Sequence, residues 1–151
     1  MLILLDIDGV MCPAIPWKPA ELLDDGFVRF TDLSIILLNK IISETDASVI
    51  LTTSYKSKYS ISEWENIFAE RCIYVKIGKL DDNINNLSRK DEILNWVYNN
   101  NNIDDFVIID DDKSLNGLPI YLRSKLVSPN SFNGLKECDA ELAIDILKGC
   151  I

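Results

Sequence analysis

The sequence predicts an α/β domain in which helices cover both faces of a mostly parallel, five-stranded sheet. Three observations predict this class. Strand patterns alternate with helix patterns along the chain, and several of the strands are apolar throughout. The 151 residues also suffice for one domain that buries roughly 70% of its unfolded surface. We therefore expect a single Rossmann-like domain of three layers, α/β/α, over residues 1–151.

The first half of the chain alternates between strand and helix patterns. The expected elements are a strand at residues 2–7, a helix at 33–44, a strand at 48–51 and a helix at 62–71. The first strand is a run of apolar β-forming residues that is closed by Asp-Gly. Ser62 with Glu65 three positions later forms a capping-box pattern, which predicts the start of the second helix.

The second half continues the same alternation. The expected elements are a strand at residues 73–77, a helix that follows Ser88, a strand at 106–109, a weaker strand within 121–127 and a last helix through 140–147. Ser88 is a typical N-cap, and Ile93, Trp96 and Val97 would share one face of the helix that it begins. Gly149 predicts the end of the last helix.

Charge and composition exclude several classes of function. The chain has 15 basic and 24 acidic residues, and its net charge of −9 argues against a protein that coats nucleic acid non-specifically. It contains no histidine, so hydrolysis by Ser-His or Cys-His pairs is excluded. Acid–base chemistry near neutral pH must therefore use carboxylates, lysine, cysteine or a metal ion.

Cysteine spacing and hydropathy indicate the cellular compartment of the protein. The four cysteines lie far apart, and their spacing indicates neither a zinc site nor a disulfide framework. No apolar run reaches the roughly 18 residues of a membrane span. Asp6 also interrupts the N-terminal apolar run before it could act as a signal peptide. We expect a cytoplasmic protein with no membrane partner.

Polar residues directly after the apolar strands form the candidate site. Ligands of parallel α/β sheets bind beyond the carboxyl ends of the strands. The residues found there are Asp6 and Asp8, residues 52–54, and residues 110–112. Because Asp6 and Asp8 stand two positions apart and Gly9 permits a sharp turn, both carboxylates can reach one small volume.

The three aspartates at 110–112 indicate a cation. Adjacent carboxylates repel one another and raise one another's pKa unless a cation intervenes. Oxygen ligands without histidine favour Mg²⁺, which binds a few carboxylates together with a substrate phosphate. A solvated acidic turn is the alternative interpretation of this segment.

Hydroxyl groups and a lysine could bind the phosphate. Residues 52–54, Thr-Thr-Ser, offer hydroxyls and backbone N–H groups at the same edge of the sheet. Lys90 lies in the first turn of its helix, where the macrodipole disfavours a cation. When each feature is considered alone, a polar turn and a solvated lysine are the favoured explanations.

Together these motifs resemble the haloacid dehalogenase (HAD) superfamily, specifically its Mg²⁺-dependent phosphatases. They are D-x-D-G-V at residues 6–10, T-T-S at 52–54, Lys90, and I-I-D-D at 108–111, each after the expected element. The combination is far more specific than any single motif. The resemblance covers about residues 1–115.

The C-terminal tail and the lengths of the segments between the motifs indicate which substrates could fit. The tail, with V-S-P at 127–129 and N-G-L at 133–135, resembles small HAD domains associated with RNA-repair proteins. The segments that hold cap domains in HAD enzymes, here residues 10–32 and 57–89, are short, so we expect no folded cap. An uncapped cleft admits a nucleic-acid end, a phosphoprotein or a small phosphate ester.

The resemblance implies a role for each acidic residue. Asp6 would attack phosphorus and form an aspartyl-phosphate, while Asp8 would protonate the leaving oxygen and then activate water. Asp6, the Asp8 carbonyl and Asp110 would bind Mg²⁺ together with Asp111, and the motif leaves open whether Asp111 or Asp112 contacts the ion.

The resemblance also implies a phosphate-binding set. Thr53 would hydrogen-bond the transferring phosphoryl group, helped by the Ser54 backbone, and Lys90 would neutralise the charge of that group and of Asp6. The register is open between two residues: Thr52 directly ends the apolar run, whereas aligning Tyr55 with the tryptophan of similar T-S-W segments selects Thr53. We favour Thr53.

A second interpretation belongs to a different class of protein. Every motif could bind Mg²⁺ and phosphate without turnover, as in a non-catalytic binding or regulatory module of the same fold. The presence of Asp8, the acid–base residue, favours catalysis. The sequence thus predicts a phosphohydrolase and keeps the binding module as the alternative.

Overall fold

The computed structural model describes residues 1–150. The strands are β1 (Leu2–Leu5), β2 (Ser48–Leu51), β3 (Ile77–Lys79), β4 (Phe106–Ile109) and β5 (Leu126–Val127). The helices are α1 (Asp32–Thr45), α2 (Ile61–Ala69), α3 (Arg89–Asn99), α4 (Ile120–Arg123) and α5 (Glu137–Lys148). Short 3₁₀ helices cover Lys56–Lys58 and Lys113–Gly117. The strands form one sheet in the order β3-β2-β1-β4-β5, and every pair is parallel.

Two apolar clusters, one on each face, hold the helices against the sheet. Alternate residues of β1 and β4 point to opposite faces, so Leu5 and Ile109 pack with α1, α2 and α5, while Leu4 and Ile108 pack with α3 and α4. All of these strand residues are fully buried. The predicted α/β class, with three layers around a five-stranded sheet, is confirmed.

The N-cap of helix α2 lies two residues earlier than the sequence pattern indicated. Ser60 is the N-cap, and its side chain accepts a hydrogen bond from the Glu63 amide while the Glu63 carboxylate accepts one from the Ser60 amide. The expectation that Ser62 and Glu65 form this capping box is wrong. Both pairs have the S-x-x-E spacing, and only the backbone, extended at Ser60, distinguishes them.

The third strand lies further along the chain than predicted. The expectation of a strand at 73–77 is wrong for all but its last residue, since β3 starts at Ile77. Ile73 is buried, but its amide donates to the Phe68 carbonyl at the end of α2 rather than to a strand. Pairing with β2 begins only where Ile77 lies beside Val49.

Two other strands are shorter than expected. The strand predicted at 2–7 ends at Leu5, which places Asp6 directly beyond it. Within the region 121–127, only Leu126–Val127 forms a strand, because Ile120–Arg123 forms a helical turn.

Leu33, Ile36, Leu37 and Ile41 fall at helical spacing in the sequence, which predicts one apolar face, but the inward face of α1 is different. Leu37 and Ile41 are buried as expected, together with Leu38. Leu33 and Ile36 are 50% and 62% exposed, although the spacing had placed them on the same apolar face. Contact with α5 turns the helix so that positions 37, 38 and 41 face the core.

Thiols and hydropathy complete the description of the chain. Among the described residues no helix is both long enough and apolar enough to cross a lipid bilayer. All four cysteines are free thiols. Cys12 is buried near the first strand, and the other three cysteines are exposed.

Candidate active site

Parallel pairing places three polar residues side by side at the carboxyl edge of the sheet. Leu5 of β1 lies in register with Leu51 of β2 and with Ile109 of β4. The residues that follow, Asp6, Thr52 and Asp110, therefore emerge together although they are up to 104 positions apart in the sequence. The backbone continues the sheet pattern, since the Asp6 amide donates to the Ile109 carbonyl at 3.0 Å.

Three carboxylates meet at this edge. Oxygens of Asp6, Asp110 and Asp111 all lie within 4.8 Å of one another. Asp6 is 6% exposed and Asp110 is fully buried. Burial raises the pKa of Asp6 well above its usual value, and the nearby charge of Asp110 raises it further. Oxygen-only donors at this spacing suit a hard cation such as Mg²⁺.

Gly9 makes room for the third carboxylate. Its φ of +81° lies in the left-handed region, and a Cβ at this position would lie 2.0 Å from Asp111 Oδ2. Only glycine therefore allows the D-x-D-G turn to approach the segment after β4 so closely. Gly9 therefore permits the sharp turn and also leaves space for Asp111, a candidate metal ligand.

Asp112 lies next in the chain but faces a different partner. Its carboxylate accepts a hydrogen bond from the Ser114 amide and caps the 3₁₀ helix Lys113–Gly117. Its own amide donates to Asp110 Oδ1 at 3.0 Å. The structure thus brings Asp111 to Asp6 and Asp110, and it uses Asp112 to hold the turn that presents Asp110.

An arginine contacts this carboxylate cluster. Arg89 Nη1 lies 2.5 Å from Asp110 Oδ2 and 3.4 Å from Asp6 Oδ1. Its side chain is 10% exposed. Burial alone would lower the pKa of Arg89, but the charges of Asp110 and Asp6 outweigh it and raise that pKa above its usual value. Sequence reasoning missed Arg89 although it precedes Lys90 directly.

The start of α3 orients these two cations differently. Ser88 caps the helix as predicted, accepting a hydrogen bond from the Asp91 amide. Arg89 points to the carboxylates, whereas the Lys90 side chain lies along Gly117, where an added Cβ would be 3.6 Å from Lys90 Nζ. The Lys90 amide donates to Ser114 Oγ. Successive helix residues are rotated by about 100°, so only one of two adjacent cations can face Asp6 directly.

The two threonines after β2 have different partners. The Thr52 hydroxyl donates to Asp110 Oδ2 at 3.0 Å. The Thr53 hydroxyl oxygen accepts a hydrogen bond from the Tyr55 amide at 3.3 Å. Both threonines are buried, and Ser54 is exposed. Thr52 thus orients a candidate metal ligand, while Thr53 lies in the turn that follows.

Asp8 lies apart from the carboxylate cluster and beside two weak acids. Its Oδ1 accepts a hydrogen bond from the Cys12 thiol at 3.7 Å. The Asp8 charge is also the main cause of the raised pKa of Tyr55. Burial, followed by the effect of Asp8, raises the pKa of Cys12 to about 12. The Asp8 side chain is partly exposed and can reach solvent.

A buried lysine and glutamate border the site behind Arg89. Lys56 Nζ lies 2.6 Å from Glu92 Oε2, and the two side chains are 3% and 10% exposed. Glu92 Oε1 lies 3.8 Å from Arg89 Nε. No sequence motif pointed to Lys56 or Glu92, because each looks like an ordinary surface charge until the fold places it.

Fold and site together define a class of protein: a parallel α/β domain with an acidic centre at the carboxyl edge of its middle strands. A family model described as the HAD domain in Swiss Army Knife RNA repair proteins matches residues 2–140. The chain belongs to this family. The predicted resemblance to the HAD superfamily, including its RNA-repair branch, is thereby confirmed. No curated protein and no solved structure matched the chain.

Proposed function

We propose that this protein is a Mg²⁺-dependent phosphatase that hydrolyses phosphomonoesters through an aspartyl-phosphate on Asp6. The observation that carries the proposal is the convergence of Asp6, Asp110 and Asp111, with Arg89 against them, at the sheet edge. Membership of a HAD domain family agrees with this chemistry.

The charge of the site supports a divalent cation. The network of charges at the site contains four carboxylates and two cations, all buried or partly buried, namely Asp6, Asp110, Asp111, Glu92, Arg89 and Lys56. Two negative charges are therefore left uncompensated, and they lie in a region of low solvent access where such an excess is costly. The ion would be held by the three aspartates and the main-chain carbonyl of Asp8. When bound, Mg²⁺ supplies the positive charge that lets an anionic nucleophile meet an anionic phosphate.

The proposed reaction has two steps. In the first, an Asp6 oxygen forms a bond to phosphorus, the bond from phosphorus to the ester oxygen breaks, and Asp8 donates its proton to that oxygen. In the second, Asp8 removes a proton from water, the water oxygen attacks phosphorus, and the acyl-phosphate bond breaks to release inorganic phosphate. The partly exposed position of Asp8 suits a residue that must meet both leaving group and water.

We assign phosphate binding to residues around the carboxylate cluster. We assign Thr53 and the Ser54 backbone to the phosphoryl oxygens, because Thr52 is already bonded to Asp110. Lys90 stays a predicted phosphate ligand, and Arg89 joins it as a second cation, nearer to Asp6. Preorganised donors of this kind stabilise charge as it develops in the transition state.

The proposed substrate is a phosphorylated nucleic-acid end. Residues 6–31, between β1 and α1, contain only two isolated bridges, and the segment between β2 and α3 contains α2 and β3 of the core layers. Neither insertion forms a cap, so we propose one uncapped core domain with an open cleft. The family's RNA-repair context favours a nucleic-acid end over a phosphoprotein or a small ester.

A hydrolysis assay tests the proposal. The purified protein is incubated with an aryl phosphate and with oligoribonucleotides phosphorylated at either end, with and without Mg²⁺. We expect phosphate release that requires Mg²⁺ and falls roughly 10³-fold or more in Asp6→Asn and Asp8→Asn. Asp105→Asn is the matched control, because Asp105 is exposed and precedes β4 at the opposite edge of the sheet.

Two results would contradict the proposal. Activity that survives Asp6→Asn, or that does not depend on a divalent cation, rules out the aspartyl-phosphate mechanism. Binding of Mg²⁺ and phosphate without any turnover would instead support the non-catalytic module.

A further inference from the structure

Three charged side chains with little exposure to solvent form a linked series that leads away from the carboxylate cluster. Lys56 Nζ contacts Glu92 Oε2 at 2.6 Å, and Glu92 Oε1 lies 3.8 Å from Arg89 Nε. Arg89 Nη1 then reaches Asp110 and Asp6. The side chains of all three are at most 10% exposed. No phosphate-binding or metal-binding role assigned above uses Glu92 or Lys56.

We propose that Glu92 is a positioning residue, which holds Arg89 in the orientation that meets Asp6. A guanidinium has distinct donor edges in a fixed plane, so an anion at Nε determines where Nη1 points. Glu92 stands three residues after Arg89 on α3, on the same side of the helix. With Glu92 at the Nε edge, the Nη1 group is directed to Asp6 and Asp110.

Lys56 keeps Glu92 in place from a separate segment. Its backbone is held from two sides, since its carbonyl accepts hydrogen bonds from Trp64 Nε1 and from Lys79 Nζ. Its ammonium contacts Glu92 from this fixed base. The series of three charges therefore couples the segment after β2, where we place phosphate-binding groups, to the start of α3. Groups around a site that orient its direct ligands typically affect activity by 10-fold to 100-fold.

This inference rests on the proposed phosphatase activity, and it makes a specific kinetic prediction. A guanidinium released from Glu92 still carries its charge, so substrate attraction is largely kept. Its alignment with the nucleophile is lost, and alignment matters most in the transition state. Loss of Glu92 should therefore lower kcat much more than it changes KM.

The test separates positioning from simple stabilisation with four variants. Glu92→Gln removes the anion, Lys56→Met removes its partner, and the double variant removes both. The control is Asp91→Asn, an exposed carboxylate in the same helical turn. Urea unfolding and kinetics with the aryl phosphate and Mg²⁺ are measured for every variant. Each single variant removes one partner of the Lys56–Glu92 ion pair, so it loses stability, whereas the double variant regains part of that stability.

For a positioning role, kcat of Glu92→Gln falls 10-fold to 100-fold, KM changes less than about threefold, and the double variant stays slow although its stability recovers. Asp91→Asn behaves as wild type. If kcat recovers together with stability in the double variant, or if Glu92→Gln stays within about threefold of wild type, the proposal is wrong.

A spectroscopic readout keeps the inference independent of catalysis. The chain has four arginines, so their Nε–Hε signals in ¹⁵N NMR spectra can be assigned, Arg89 by its loss in Arg89→Lys. We expect Glu92→Gln to shift and broaden the Arg89 signal, while the signal of Arg71, buried elsewhere, stays constant. An unchanged Arg89 signal overturns the positioning role even if the protein proves not to be a phosphatase. A shifted signal in an inactive wild-type protein rejects the proposed function alone.

Discussion

At the scale of single residues, two glycines with the same positive φ have very different surroundings. Gly9 and Gly26 both have φ of +81°. A Cβ on Gly26 would meet nothing within 4 Å, whereas a Cβ on Gly9 would lie 2.0 Å from Asp111 Oδ2. Gly26→Ala thus measures the cost of the conformation alone, about 1–2 kcal/mol. Gly9→Ala adds displacement of a candidate metal ligand.

We expect Gly9→Ala to weaken Mg²⁺ binding at least 10-fold, as measured by calorimetric titration, because Asp111 must move away from Asp6 and Asp110. Gly26→Ala should lose stability and keep wild-type affinity for Mg²⁺. Equal Mg²⁺ affinities in the two variants would show that Asp111 does not contribute to the metal site.

A second prediction at this scale concerns the thiols. Cys12 is 5% exposed, and burial together with Asp8 raises its pKa to about 12, while the other three cysteines are exposed. Since the thiolate is the reactive form, iodoacetamide at pH 8 should label three cysteines in the folded protein and four in denaturant. Peptide mass spectrometry identifies the labelled sites. Labelling of Cys12 as fast as Cys72 in the folded state would contradict the buried environment.

At the scale of elements, one arginine joins the end of α2 to the connection between β1 and α1. Arg71 donates to the carbonyls of Phe27, Val28 and Ile67, and its guanidinium forms a two-point ion pair with Asp25. Its side chain is 1% exposed. All of its N–H donors are thus used between the end of α2 and residues 25–28 of this connection.

We expect Arg71→Met to lower the free energy of unfolding by about 3 kcal/mol or more, because buried carbonyls lose their donors and Asp25 loses its partner. Urea denaturation measures the change. The exposed Arg123 gives the control, and Arg123→Met should stay within about 0.5 kcal/mol of wild type. A loss below about 1 kcal/mol for Arg71→Met would mean that solvent replaces these hydrogen bonds at little cost.

At the scale of the whole molecule, we expect metal binding at the carboxylate cluster to increase the stability of the folded protein. A ligand that binds only the folded state at 100 times its Kd adds about 2.7 kcal/mol, which raises Tm of a chain this size by about 5–10 °C. We expect MgCl₂ to raise Tm in this saturable way, whereas NaCl at equal ionic strength does not.

Asp111→Asn should shift the Mg²⁺ dependence of Tm to higher concentration, because one of three converging ligands is lost. Differential scanning fluorimetry across a Mg²⁺ series measures both proteins. The same Tm profile in Asp111→Asn and wild type would place the metal away from this cluster.

Elements that local interactions define could be predicted from the sequence, whereas elements that depend on contacts between distant segments could not. The helix cap at Ser88 and the strand Phe106–Ile109 were predictable because local hydrogen bonding and an apolar run define them. The strand near Ile77 was misplaced because its position depends on pairing with β2. The S-x-x-E patterns at Ser60 and Ser62 are equivalent in sequence, so the choice between them needed the backbone.

The residues of the candidate site also divide into those that the sequence predicted and those that it did not. Asp6, Asp110 and Asp111 were identifiable since each follows an apolar strand, and the carboxyl ends of parallel strands meet at one edge. Arg89 was missed in favour of Lys90, because helix phase decides which of two adjacent cations faces the carboxylates. Lys56 was missed because nothing local marks a lysine that will be buried.

Short-range patterns in the chain were therefore sufficient to predict the class of fold, the sheet edge at which the carboxylates converge and the acidic residues on it. Hydrophobic periodicity and strand ends are local properties, which one pass along the chain can detect. Only the folded molecule reveals that Arg89 meets Asp6, that Thr52 binds Asp110 and that Glu92 lies beside Arg89. These contacts depend on the direction of side chains from separate elements, and packing alone determines that direction.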